Sequence, residues 1–325
     1  MDVYRRAPAD LINRISQGSI PLKTFHEAIR TQAFTLTGQL KLADDTTPAE
    51  LLEQAELLRP YVDAVQVTDN PSGLVHMSPL AAASLLLQAG IDPIVQLSCR
   101  DRNRIALQSE LLGAAAIGVS SLLLQRGDKL PKDYQPKTKQ VFDIGAKRLV
   151  GAAKAIQQDP RLANAEKLFI GTIALAFDPA VNWKPSALLG RSDAGARFIQ
   201  TQLCFDVDAL RRYVRKLSAA KLTHRVHVIV SLGTLPSADA ARWLQQNLRG
   251  SVMPKAVIER MEQARDPEQE GISICAELLQ QVAEIPGVDG ANVVTPGEIE
   301  TVPATIQASG LREQVSEVSE KHQTT

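Results

Sequence analysis

Residues 34–45 read FTLTGQLKLADD, and the fold turns on how the chain continues after the first seven of these positions. The alternating, β-branched run FTLTGQL reads as a short strand. In a doubly wound nucleotide-binding sheet, such a first strand runs into a G-x-G-x-x-G turn that lays pyrophosphate on a helix N-terminus. Here the chain has only Gly38, turns through Lys41 to Asp45, and opens a helix at Thr47-Pro48-Ala49-Glu50. That tetrapeptide is a capping box with proline at the first helical position. A strand and helix joined without a phosphate turn point to βα units of another kind.

Seven more short runs lie beyond this one: DAVQVT (63–68), PIVQLSC (93–99), SLLLQ (121–125), LFIGTIAL (168–175), FIQTQL (198–203), VHVIVSL (226–232) and GANVVT (290–295). Longer amphipathic stretches with helix punctuation lie between them. Ser78-Pro79 opens PLAAASLLLQA and Gly90 ends it; Asp101 opens RNRIALQSELLGAAAI and Gly118 closes it. Asp206 and Ser237 precede two more. Short runs alternating with helices are the βαβ signature of a parallel sheet, and eight units make an α/β fold of the (β/α)8 TIM barrel type. A leading helical stretch, about Ala9 to Arg30 and interrupted near Gly18 and Pro21, makes an N-terminal extension over 1–33. The barrel spans 34–312, and 313–325 is a tail. The insertion from Leu248 to Glu270 is expected to add helices and a loop before the last unit.

Length and composition agree with one large domain. The chain has 325 residues, 44% hydrophobic and 22% charged, and a chain of that size buries a large core unaided. Its 36 basic and 36 acidic residues balance, with no basic stripe interleaved with aromatics, so nucleic acid is not an expected partner. No apolar run is long enough for a membrane span, and the start, MDVYRRAPADLINRIS, lacks the apolar core of a leader. The expected location is cytoplasmic. Three widely spaced cysteines, Cys99, Cys204 and Cys275, suit neither a disulfide framework nor a zinc site.

In such a barrel, chemistry gathers at the C-terminal ends of the strands. Those ends carry Gln39, Thr68-Asp69-Asn70, Ser98-Cys99-Arg100-Asp101, Gln125-Arg126-Gly127-Asp128, Ala176-Phe177-Asp178, Gln202, Ser231 and Thr295. Gln39, Gln96, Gln125 and Gln202 lie within or end apolar runs. Buried amides need partners, and a ligand with donor and acceptor edges is one. Arg126-Gly127-Asp128 matches a cell-adhesion triplet, but it directly follows SLLLQ and so begins a βα loop. There Gly127 lets a ligand approach the main chain, Asp128 can put a carboxylate over the barrel mouth, and Arg126 can pair with an anion.

The segments DAVQVTDNPSG, QLSCRDRNRIALQSELLGAAAIGVSSLLLQRGD and DAGARFIQTQLCFD resemble the methylenetetrahydrofolate reductase family, in particular its shorter bacterial and archaeal branch. The likeness runs from about Phe34 to Gly310. It implies a (β/α)8 barrel that holds FAD, with FMN as the alternative, and takes electrons from NAD(P)H. The implied reaction interconverts 5,10-methylenetetrahydrofolate and 5-methyltetrahydrofolate. Thr68, Gln96, Ser98, Arg126, Gly127 and Asp128 match positions around the flavin, and Phe177 and Arg191 are further cofactor candidates, Arg191 for the phosphates. Asp128 is a catalytic candidate near both flavin and folate, and Gln202 matches a folate-binding glutamine. A homo-oligomer or association with a redox partner protein is expected.

Two positions depart from the family pattern. QLSC stands where HLTC is common, so Gln96 replaces a flavin-facing histidine. Gln39 stands where the family has the glutamate that protonates folate as its five-membered ring opens, and KLADD replaces the usual PP. A carboxamide cannot donate that proton. His76, Asp44 and Asp45 are the nearby substitutes, with His76 read as a partly exposed loop residue. The alternative is a non-redox flavin- or folate-binding barrel acting as a partner subunit or a degenerate reductase homologue.

Overall fold

The computed structural model describes residues 23–162, 165–247 and 252–312. The start of the expected N-terminal helix and the tail 313–325 lie outside the described residues. Eight strands close into one parallel barrel in chain order. They are β1 (Thr35–Gln39), β2 (Ala64–Val67), β3 (Pro93–Ser98), β4 (Ser121–Gln125), β5 (Phe169–Ala174), β6 (Phe198–Thr201), β7 (His227–Gly233) and β8 (Gly290–Val294). β8 returns to β1 from Thr35↔Gly290 to Gly38↔Val293. The fold is the (β/α)8 barrel read from the sequence.

Around it run α1 (Phe25–Thr31), α2 (Pro48–Leu58), α3 (Pro79–Gln88), α4 (Arg104–Ile117), α5 (Ala146–Gln157), α6 (Ser186–Ala194) and α7 (Val207–Ala219), then α8 (Ala238–Asn247), α9 (Lys255–Gln263), α10 (Pro267–Ala283) and α11 (Thr301–Ser309). The capping box of α2 forms: Thr47 N donates to Glu50 Oε2 at 2.7 Å, and Glu50 N donates to Thr47 Oγ1 at 3.3 Å. Gly118 ends α4 with φ 88°. Ser78-Pro79 does open α3, and one reading needs correction. Asn103, not Asp101, caps α4, accepting from Ala106 N at 3.0 Å. Asp101 is taken up by Arg100, whose Nε and Nη2 donate to it at 2.8 and 2.7 Å. Ser78 stands at the N-cap of α3 but makes no side-chain cap bond.

Strand periodicity sorts the core. Leu36, Val65, Val67, Leu97, Leu122 and Leu124 face outward and are fully buried under the helix ring. The alternate positions face inward. At the N-terminal end these are Ala64, Ile94, Leu123, Phe169, Phe198 and Ile229, packed with Phe25 from α1. Phe25 plugs that end, its ring 5.2 Å from Phe198 and 5.8 Å from Phe169. Each such ring removed from water is worth about 1.5–3 kcal/mol. Gly171 makes room for this stack, since a Cβ there would sit 2.2 Å from the Phe198 ring. Asp92 anchors α1: Phe25 N donates to its Oδ2 at 2.7 Å and Ser120 Oγ to its Oδ1 at 2.9 Å. Burial raises the Asp92 pKa to about 6 against the pull of those two bonds. One end of the barrel is thus closed by packing, which leaves the other for a site.

Candidate functional site

Toward the C-terminal mouth the inward positions turn polar. Gln66 on β2 and Gln200 on β6 lie four strands apart in the ring, and Gln200 Nε2 donates to Gln66 Oε1 at 3.0 Å across the barrel. Gln66 is fully buried and its Nε2 has no acceptor. Thr37 Oγ1 donates to Asn292 Oδ1 at 2.9 Å, which leaves Asn292 Nδ2 equally unpaired. Gln125 Nε2 donates to Gln96 Oε1 at 3.0 Å.

On this amide layer rests a cavity of about 190 Å³. Five glutamines line it: Gln39, Gln96, Gln125, Gln200 and Gln202. Thr68, Ser98, Gly127 and Asp128 join them, so the structure brings seven of the ten sequence-chosen site residues to one place. Ser98 Oγ is buried there without a partner. Gly127 has φ +79°, and a Cβ on it would lie 3.1 Å from Ser98 Cβ and 3.2 Å from Arg100 Cβ. This part of the floor is therefore main chain, where a side chain would be strained and crowded.

Among the described residues, three ionisable ones line the cavity, Asp69, Arg100 and Asp128. Asp69 is consumed by structure: Arg102 donates to both its oxygens at 2.7 and 3.0 Å, and Ser98 N donates to Oδ2 at 2.7 Å. Burial draws the Arg102 pKa down, but Asp69 more than compensates and the net shift is upward. Arg100 is held by Asp101 and by Asn70 O at 2.7 Å. The TDN and CRDR motifs are thus two halves of one clamp tying the ends of β2 and β3. Asp128 is exposed and makes no ion pair among the described residues, so it is the free carboxylate of the cavity lining.

The other candidates fall elsewhere. Arg126 points away from the cavity, its guanidinium 4.2 Å over the Phe142 ring. Phe177 packs against Trp183 and Tyr213, at 5.1 and 5.5 Å between ring centroids. Arg191 donates to Ile173 O at 2.7 Å and has no carboxylate partner among the described residues; burial lowers its pKa. Neither Phe177 nor Arg191 lines the cavity. Asp44 and Asp45 are exposed and away from it.

His76 is buried, not partly exposed, and its ring nitrogens are both occupied. Nδ1 lies 2.7 Å from Met77 O and so carries the proton. Nε2 therefore accepts, from Asn70 N–H at 3.2 Å and Thr68 Oγ1 at 3.1 Å. This tautomer has no proton to give a ligand. Gln39 lines the cavity, and its amide has no hydrogen bond among the described residues. Sequence reading missed Gln66 and Gln200; the signal was a glutamine between outward, β-branched neighbours in AVQV and FIQT.

The sequence pattern of the methylenetetrahydrofolate reductase family matches residues 45–295, most of the barrel. The chain belongs to that family. A probable methylenetetrahydrofolate reductase (NADPH) of Caenorhabditis elegans is 27% identical over 154 residues, 47% of this chain and 22% of that protein. The chain thus matches about a fifth of the length of this relative. An uncharacterized protein from Clostridium thermocellum, which binds two copies of 5-methyl-5,6,7,8-tetrahydrofolic acid, shares the fold. The TM-score is 0.58 at 13% identity, covering 87% of this chain and 97% of that one. Among the described residues, no helix is long and apolar enough to cross a membrane. The three cysteines are free and buried, and burial pushes the Cys275 thiol up to about 12.

Proposed function

We propose that the barrel mouth binds a flavin and a reduced folate and interconverts 5,10-methylenetetrahydrofolate and 5-methyltetrahydrofolate. The observation that carries this reading is the cavity floor: a buried, unpaired Ser98 Oγ beside Gly127, both lining the cavity. A flat ring with alternating donors and acceptors suits that floor and the amide edges of Gln96 and Gln125 around it. FAD is the favoured cofactor, with FMN the alternative, and NAD(P)H the donor. Arg191, without a carboxylate of its own, is assigned to the phosphates. A bound flavin supplies hydride transfer; the residues bind, orient and manage protons.

Proton management sets this chain apart. Gln202 and Gln39 can hold a folate ring by hydrogen bonds, but neither can protonate its nitrogen. Asp69 and Arg100 are tied down, which leaves Asp128 as the free carboxyl. We therefore assign slow ring opening of methylenetetrahydrofolate to the native chain. The same lack of an acid supports the second reading, a barrel that binds folate without turning it over.

The test is single-turnover oxidation of the reduced flavoprotein by methylenetetrahydrofolate, in the native chain and in Gln39→Glu. A positioned general acid is worth about 10²–10⁴ in rate, so the variant should be faster by that order. A protein that takes up neither FAD nor FMN removes the redox reading. A native chain already faster than its glutamate variant shows that another group delivers the proton.

A further inference from the structure

The segment joining β2 to α3 sends Pro71 and Ser72 against the mouth cavity. Its backbone is held in an uncommon state: Asn70, Ser72 and Gly73 have φ of 46°, 54° and 85°. Residues with a Cβ enter that region only against steric resistance, so the surroundings must impose it. Two side chains do so. From within, His76 accepts from the Asn70 amide, while Asn70 Oδ1 accepts from His76 N at 3.1 Å. From the β4–α5 connection, two strands along the ring, the Tyr134 hydroxyl donates to Gly73 O at 2.6 Å.

The Tyr134 contact is close. A Cβ at position 73 would lie 2.7 Å from the Tyr134 ring and 2.5 Å from Leu130 Cδ2, so any side chain there would push both aside. With the loops joined, the cavity is about 190 Å³. Small-molecule pockets usually have roughly 300–1,000 Å³. The cavity is smaller than that and is lined by Pro71 and Ser72, so their withdrawal would enlarge it, and the Tyr134 bond is one of the contacts that keep them in place.

We propose that Tyr134 is a positioning residue that sets access to the site. Its bond to Gly73 holds the β2–α3 loop over the cavity, and ligand is admitted from the population in which that bond is broken. The bond lowers apparent affinity by the fraction of molecules that are open. The strained φ values at Asn70 and Ser72 favour release once the latch is lost. For folate as the ligand, this inference rests on the reading proposed above; the latch itself does not.

The experiment compares the full chain with Tyr134→Phe, which keeps the ring and deletes the hydroxyl. Stopped-flow binding of 5-methyltetrahydrofolate and amide exchange of residues 70–77 are the readouts. One neutral hydrogen bond is worth about a two- to tenfold shift in such an equilibrium. The association rate should rise by that factor with dissociation unchanged, and exchange at 70–77 should quicken with exchange elsewhere unaltered. His76→Leu should also quicken exchange there, and His76→Gln, which can still accept from Asn70, should do so less. Unchanged or slower association in Tyr134→Phe overturns the proposal. If neither protein binds 5-methyltetrahydrofolate, the folate reading fails, and the exchange arm decides the latch alone: equal exchange at 70–77 overturns it, faster exchange supports it.

Discussion

Asp69→Asn is the substitution whose cost the structure lets one work out. The Asp69 side chain is fully buried, and that of Arg102 is 16% exposed. The aspartate accepts three hydrogen bonds, two from Arg102 and one from Ser98 N. Asparagine keeps the shape and one acceptor oxygen, but its NH₂ must then face either the guanidinium or the Ser98 amide, both donors. Removing one partner of a buried ion pair costs roughly 3–5 kcal/mol. Glu110 lies 3.7 Å from Arg102 Nε and offers a second, weaker counter-charge, so the low end, about 3 kcal/mol, is expected. Urea unfolding monitored by circular dichroism would measure it, alongside Arg102→Met and the double variant. The two singles should not add, because each breaks the same contact. The loss should also persist in high salt, since the pair is shielded from solvent ions. A loss below about 1 kcal/mol, or strictly additive single effects, would refute the clamp as the element that joins β2 to β3.

Two further outcomes rest on named contacts. Asp92 has a folded pKa raised to about 6 from 3.8, so its stabilising contribution is complete below the lower value and lost as pH rises through the higher. That amounts to about 3 kcal/mol between pH 4 and 7, and chemical denaturation across that range should show Asp92→Asn with a flatter profile than the native chain; parallel profiles would contradict it. Gly127→Ala forces a Cβ into a left-handed conformation and 3.1 Å from Ser98 Cβ. It should lower stability by about 1–2 kcal/mol and weaken flavin uptake more than Gly118→Ala, a left-handed glycine with open space around it; equal uptake by the two variants would count against Gly127 as the floor.

The barrel was legible because each strand announces itself locally. FTLTGQL, SLLLQ and VHVIVSL are short, alternate with capped amphipathic stretches, and need no distant partner to be recognised. The mouth was legible for the same reason: in a parallel barrel, one end of every strand is the same end. What lay beyond reach were contacts between residues distant in sequence. Nothing near Asp69 tells that Arg102 will take both its oxygens, or that Gln66 will meet Gln200, 134 positions away. Arg126 misled because adjacency in Arg-Gly-Asp says nothing of direction. Asp128 reaches the cavity, while Arg126 lies against Phe142. His76 had the right loop but the wrong exposure, since its burial comes from how Asn70 turns the chain back.

The interior of this barrel is costly in a way that points to its use. Gln66 Nε2, Asn292 Nδ2 and Ser98 Oγ are buried without protein partners. An unsatisfied buried group of this kind costs roughly 1–3 kcal/mol, and aliphatic residues of similar volume would avoid the loss. Aliphatics do fill the outward positions of the same strands, and phenylalanines fill the closed end. Among the inward groups of the strands the cost is thus concentrated toward the open mouth, with Thr35 Oγ1 at the closed end the exception. Amides serve there as both donor and acceptor and carry no charge, so the floor can read the edge of a heterocycle at any ordinary pH. With Asp69 and Arg100 held by their own partners, the lining has one carboxylate left to answer a change in ligand charge, Asp128. The lining thus offers several neutral amides and one free carboxylate, so under the proposed function binding would rest on the glutamines and proton transfer on Asp128.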